Sequence, residues 1–319
     1  VLIALEARPF LPIDLPMVRR LIPHGVSFDS EMGLTSGMIT PLGGAFLSSV
    51  VPLTDFGTHV FIVRDGEAMY AAQFRHRSGD PHAHISFIAP GADFYNSEAA
   101  WFALIDAMTV AAGKRGAHTL NAEIDEHSEA FVILRRAGFA LYARQDILMR
   151  MPAPAPEADP ELLRPATEED CFAINLLISN IVPRMVLQAD SLPDLTRGLV
   201  LEQGGRINAF VAITEGREGT FIQPFLHPEM DHQAGAIHAA VLARLTRVER
   251  LPTYVCVRRY QDWLRTPLAH LGFQAWASQA VMVKHTVARI EHPILSAAPS
   301  IAGAVRIVPP IKIKVKQHR

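Results

Sequence analysis

Cysteine is scarce in this chain. Cys171 and Cys256 are the two among 319 residues, and the first half has none. A disulfide framework is therefore excluded as the source of stability, and a reducing, cytoplasmic setting fits. Long apolar runs are missing too. None reaches the roughly 20 residues that a membrane-spanning helix needs, and the opening Val1–Glu6 is too short and too soon charged for a signal peptide. Nor does one sign of charge dominate, since 30 Lys and Arg stand against 32 Asp and Glu. A net charge of −2 gives no general reason to expect nucleic acid or a membrane surface as partner. What remains is a globular chain, 49% hydrophobic and 19% charged, with enough apolar residues for more than one core.

The end of the chain breaks the charge balance. Arg306, Lys312, Lys314, Lys316 and Arg319 occur with no acid among them, and Ile311–Lys316 alternates apolar and cationic residues. That is strand periodicity with one sticky face. Residues 305–319 are a candidate contact for a protein partner, against the plainer reading of a disordered basic tail.

The chain repeats itself. Arg8-Pro9 followed by Asp14 returns as Arg164-Pro165 followed by Asp170. Ala137-Gly138-Phe139 with Ala143 and Gln145 returns as Leu271-Gly272-Phe273 with Ala277 and Gln279. Each pair of landmarks brackets an ordinary domain length. Between the copies, residues 151–160 alternate proline with small residues, which favours extended backbone and a domain boundary. The expected division is a first domain over 1–150, this linker, a second domain over 161–290 and a proline-containing basic tail over 291–319.

Both halves follow one order. A strand (Leu2–Arg8, Leu162–Arg164) leads to a helix, with Asp14 the expected N-cap in the first half and Thr167-Glu-Glu-Asp170 a capping-box-like start in the second. Three antiparallel strands follow: Thr58–Arg64, Ala68–His76 and His82–Ile88, then Leu199–Glu202, Ile207–Thr214 and Thr220–His227. A long helix comes next (Glu98–Ala112 behind Asn96 or Ser97; Gln233–Val248), then a short strand (Thr119–Ile124; Thr253–Arg258), a helix ending at Gly138 or Gly272, and a last hairpin. The expected class is α+β, or mixed α/β, with helices on both faces of a mostly antiparallel sheet.

This ordered set resembles the GNAT superfamily of acyl-CoA-dependent N-acyltransferases, once in each half, and the doubling is similar to the tandem of mycothiol synthase. The resemblance implies acetyl-CoA or another acyl-CoA as co-substrate and a small-molecule or peptide amine as acceptor, attacked directly and without a metal. It also implies that acyl-CoA enters where the fourth and fifth strands splay, with its pyrophosphate on the following helix start, where free N–H groups and the helix dipole favour an anion. Carried onto this chain, the implied contacts are Ile88, Ala89 and Gly91 in the first copy. In the second copy they are Phe225, Leu226, His227, Gln233, Ala234, Gly235 and Ala236.

Both copies depart from the family's Arg/Gln-x-x-Gly-x-Gly/Ala loop. Asp93 and Asp231 stand where a pyrophosphate would be repelled. The tyrosine that often protonates the leaving thiolate is Leu134 in one copy and Leu268 in the other, and the family's asparagine is His127 or Gln261. Candidate replacements are Glu123 as base, on the strand face shared with Asn121 and Asp125, and Tyr142 as acid, with Tyr70 and His227 behind it. His82 and His84 share a strand face, but Arg75 and Arg77 beside them disfavour a metal. That face reads first as a polar sheet surface, with an anion or an acidic partner as the ligand it would take. Ser30, Ser48 and Ser49 have no nucleophile-elbow context. Two functions stay open: acyl transfer to an amine, and a catalytically degenerate tandem serving as binding, assembly or sensor protein.

Overall fold

The computed structural model describes residues 5–37, 57–93, 97–159, 161–188 and 191–286, all within one compact unit, Val1–Val287. The basic tail, Asn96 and residues 38–56, including Ser48 and Ser49, lie outside the described residues.

In the first half the strands are β1 (Arg8–Pro9), β2 (Val26–Ser27), β3 (Thr58–Asp65), β4 (Ala68–His76), β5 (His82–Ala89), β6 (Thr119–Ile124) and β7 (Ala140–Arg150). Its helices are α1 (Leu15–Leu21), α2 (Ser30–Ser36), α3 (Glu98–Lys114) and α4 (Glu129–Arg136). The second half has β8 (Arg164–Pro165), β9 (Gly198–Gln203), β10 (Arg206–Glu215), β11 (Thr220–Leu226), β12 (Thr253–Arg258) and β13 (Gln274–His285). With them run α5 (Cys171–Ile181), α6 (Arg184–Leu187), α7 (Ala234–Arg244) and α8 (Arg265–His270). No helix among the described residues is long and apolar enough to cross a membrane.

The alternation expected of the strands holds. Leu120, Ala122 and Ile124 enter the core beneath α3 and α4, while Asn121 and Glu123 face the other way. Each half has two cores, one per sheet face. In the first half these lie under α3 and α4, and under α1; in the second, under α7 and α8, and under α5.

The landmark Arg-Pro-x4-Asp is a clamp. Arg8 grips Asp14 with two hydrogen bonds of 2.7 Å, and Arg164 grips Asp170 at 2.7 and 2.8 Å. Each carboxylate also accepts a backbone N–H from three residues back, Leu11 or Thr167. Asp14 therefore ties helix to strand and does not cap α1, a correction to the N-cap expectation. The arginine bonds are the largest cause holding both carboxyls well below their ordinary range.

The expected last hairpin is absent from both halves. After Gly138 and Gly272 there is one long strand each, β7 and β13, and each pairs into the other half. The sheet runs β1-β3-β4-β5-β6-β13-β7-β12-β11-β10-β9-β8, with β2 attached to β5. Thus β13 lies between β6 and β7, and β7 lies against β12. The hairpin partner that sequence pattern assigns to a neighbour is supplied across the repeat. The second long helix is also shorter than expected. A 3₁₀ segment, Pro228–Gln233, precedes α7, which stops at Arg244.

At the centre, repeat-equivalent residues meet: Gln145 pairs with Gln279, with Arg144↔Ala280 and Asp146↔Ser278 on either side. A local two-fold therefore passes between β7 and β13. The Pro/Ala stretch after β7 is tied down by hydrogen bonds. Buried Arg150 donates to the carbonyls of Leu271, Ala153 and Pro154.

Asp170→Asn should lower stability by about 1–3 kcal/mol at pH 7, the range for hydrogen bonds to a charged group. Because the folded pKa is depressed, this contribution is present above the unfolded value near 3.9 and lost as pH falls through the folded one. The difference from wild type in thermal melts should therefore shrink below about pH 4. Strand exchange predicts that residues 1–150 and 161–319, expressed apart, melt without a cooperative transition and regain one when mixed. A cooperative melt from either alone would contradict the shared sheet.

Candidate functional site

Among the described residues, two gaps in the sheet and one cavity are places where a ligand could enter. β5 and β6 pair in parallel only at His82–His84 with Thr119–Asn121 and then diverge. β11 and β12 pair only at Thr220–Ile222 with Thr253–Val255 and diverge in the same way.

The first gap is filled by the chain itself. Val26 and Ser27 pair antiparallel with Ile88 and Phe87. The Phe28 N–H then donates to the Ser86 carbonyl at 3.0 Å, and the Phe28 carbonyl accepts from the Glu123 N–H at 2.9 Å. One residue thereby bridges both splayed strands. His24 extends the plug, accepting from the Gly91 N–H at 2.6 Å. The Phe28 ring is buried edge-on against Trp101, with centroids 6.1 Å apart. Gly25 permits the approach: a Cβ there would lie 2.9 Å from the Ala89 Cβ and 3.1–3.2 Å from two backbone oxygens. Ile88, Ala89 and Gly91 thus make contact with residues 24–28.

The second gap is closed by side chains. Pro224 has no N–H to offer, and its carbonyl accepts from buried Gln261 Nε2 at 3.2 Å. Helix α6 packs Val186 and Leu187 with Phe225 and Tyr260, and about 20 Å³ remains. Phe225 and Leu226 are buried, while His227 is half-buried at the strand end. At the α7 start, Gln233 bonds Gln203, Ala234 is buried, and Gly235 and Ala236 lie closer to the surface. His238, one turn further, is fully buried. Burial pushes its imidazole down to about 4, so it brings no positive charge to that helix start.

Comparison with known proteins fits this geometry. No family model matches the sequence, and no curated protein does. Solved structures match over nearly the whole chain. A GCN5-related N-acetyltransferase from Sphaerobacter thermophilus superposes with a TM-score of 0.53 at 17% identity, covering 90% of this chain and 97% of that one. A tandem GNAT protein from the clavulanic acid biosynthesis pathway gives 0.53 at 15% identity, with 89% and 99% covered. A Drosophila protein gives 0.53 at 11%, with 88% and 98% covered. The chain has a tandem GNAT fold. In GNAT terms the two gaps are the places the sequence resemblance assigns to acyl-CoA.

The positions of the GNAT proton donor carry no acid here. Leu134 and Leu268 are both 0% exposed, one in each half's core. His127 is exposed, and Gln261 is engaged with Pro224. Tyr142 bonds His285 Nε2 at 3.0 Å and does not line the cavity described next.

That cavity, of about 670 Å³, opens between the two halves of the GNAT tandem. One wall comes from β4, β5, β6 and α2; the other from β10, β11, β12 and the loop at Ser191–Arg197. Glu123 lines it, with Oε2 accepting from the Ser30 N–H at 3.0 Å. Arg75 lines it too and is paired with Asp29 at 2.6 Å. Asp29 is the largest cause raising the Arg75 pKa, ahead of Glu31 and Glu123, with burial opposing. Contacts cross between the halves on both sides. His84 Nε2 meets Ser191 Oγ at 3.0 Å, and Ser191 donates to Asp80 at 3.0 Å. Thr214 donates to Glu31 at 2.8 Å. At the cavity floor, Cys256 Sγ lies 3.3 Å from Gln145 Oε1, whose Nε2 donates to Gln279 Oε1 at 2.9 Å. Ser30 Oγ donates to the same Gln279 oxygen at 2.8 Å.

Sequence reasoning put Glu123, Arg75 and His84 on polar strand faces, and they meet at this cavity. His82 lines the cavity as well, with its side chain buried and bonded to Thr119 at 2.8 Å. Asp29, Glu31, Thr214, Gln223 and Arg258 were missed as one site, because the start of α2 and strands β10, β11 and β12 are brought together only by the fold. No group of three or more His, Cys, Asp or Glu among the described residues is arranged to hold a metal.

Gly25→Ala should lower stability by about 1–3 kcal/mol through overpacking against Ala89. An unchanged melting temperature would mean that the first gap is not closely filled.

Proposed function

We propose that this chain is a tandem GNAT-fold protein that binds a small polar molecule in its central cavity and does not carry acyl-CoA in the gaps of its sheet. One observation carries the proposal: the Phe28 backbone joins Ser86 to Glu123 across the first gap. A pantetheine arm would need those same strand groups. Displacing the plug would leave backbone donors and acceptors unpaired and expose Phe28, a combined penalty of several kcal/mol. The second gap supports the same conclusion, since a proline and a glutamine amide occupy its strand edge. Two aspartates at the helix starts and two buried leucines at the proton-donor positions agree with it. A cytoplasmic location and a protein partner reached through residues 305–319 are compatible with this role.

The second function is acyl transfer from acyl-CoA to an amine, with Glu123 as base. It is favoured by the position of Glu123 on the wall of a cavity of about 670 Å³. It requires acyl-CoA to enter by another route, and it leaves Tyr142 remote from that wall.

Calorimetric titration of the intact chain with acetyl-CoA separates the two. No binding up to about 1 mM is expected, where a specific cofactor site would give at least −4 kcal/mol. Sub-millimolar binding would overturn the proposal, and thiol release over an amine panel would then establish the second function. In that event Glu123→Gln should slow release by about 10²-fold or more.

A further inference from the structure

The cavity wall carries an arrangement of charge that selects among ligands. Arg75 uses Nε on Asp29 Oδ2, and neither of its Nη groups bonds a described residue. Its side chain is 34% exposed, within the cavity lining. An arginine fork held at one edge and open at the other fits a carboxylate with two parallel hydrogen bonds.

The same wall holds anions. Glu31 accepts from Thr214 through Oε1, and its Oε2 has no hydrogen bond to a described residue. Glu31 and Glu123 are both close enough to Arg75 to raise its pKa. A bare anion on Arg75 would be repelled by these carboxylates, and a bare cation would be repelled by Arg75. A group with both charges side by side satisfies the wall as it stands. The whole lining points the same way, with four arginines against five carboxylates. That balance disfavours a polyphosphate and a polyamine alike. Across the cavity, Gln223 offers an amide with no described hydrogen-bond partner, beside Phe221 and Leu192. A volume of about 670 Å³ leaves room for a long substituent beyond the charged end.

We propose that the cavity binds an α-amino acid headgroup, with the ligand carboxylate on the Arg75 Nη groups and its ammonium on Glu31 and Glu123. The substituent extends toward Gln223 and Phe221. This rests on the cavity being the ligand site of the preceding section, and it concerns binding alone.

The test titrates the full chain with the L-amino acids and with γ-L-glutamyl dipeptides, which keep the headgroup on a longer body. The tightest ligand is then compared with its decarboxylated amine and its deaminated acid. The expected result is saturable binding of the zwitterion, at least about tenfold weaker for either analogue, since each lost charge-assisted contact exceeds about 1.4 kcal/mol. Arg75→Lys keeps a cation beside Asp29 and removes the fork; Glu31→Gln keeps an acceptor for Thr214 and removes the anion. Both should weaken binding at least about tenfold with melting temperatures close to wild type. Analogue binding as tight as the parent's, unaltered affinity in both variants, or no binding by any panel member would each overturn the assignment. Of these, tight analogue binding leaves the cavity as a ligand site. Acetyl-CoA binding is the separate result that removes the function proposal itself.

Discussion

Pairing of β13 with β6 on one flank and β7 on the other holds the two halves in one sheet. Backbone hydrogen bonding is obligatory for buried strands. Neither half can therefore close its sheet without a strand from the other. The repeat-equivalent glutamines at the centre extend this dependence to side chains. Gln145 and Gln279 bond one another, Ser30 joins from α2, and Cys256 from β12. Four segments distant in sequence thus meet at one buried polar chain beneath the cavity.

The same arrangement explains why the gaps and the cavity have opposite fates. In a splayed parallel pair the diverging strands present unpaired backbone groups, which a ligand or the chain must satisfy. Here the chain does so, through Phe28 in one half and Gln261 in the other. Closing the first gap fixes the start of α2, and α2 then carries Glu31 and Thr35 onto the second half. The plug that fills one recess is therefore also a wall of the cavity beside it.

Much of this was legible from residue pattern. β4, β6 and β12 have the boundaries that alternation predicts, and Ser97 caps α3 as expected, accepting from the Ala100 N–H. The Arg-Pro-x4-Asp landmark was visible as a repeat, but its meaning as a clamp needed coordinates, because an Asp before a helix reads equally well as an N-cap. The plug was invisible for a different reason. A strand of two residues, Val26–Ser27, has no period to detect. The Arg75–Glu31 wall was missed because charges brought together by a sheet and a helix leave no spacing signature.

Sequence alone determined that two copies of one framework exist, that in both the phosphate loop departs from the resembled pattern and a leucine stands at its tyrosine position, and which faces of the strands are polar. These follow from side-chain chemistry and periodicity, which are local. Tertiary structure decided which half receives each last strand, what fills each gap, and which charged groups share a cavity. Those outcomes turn on backbone hydrogen bonds, which are nearly blind to residue identity, and on contacts between segments far apart in the chain.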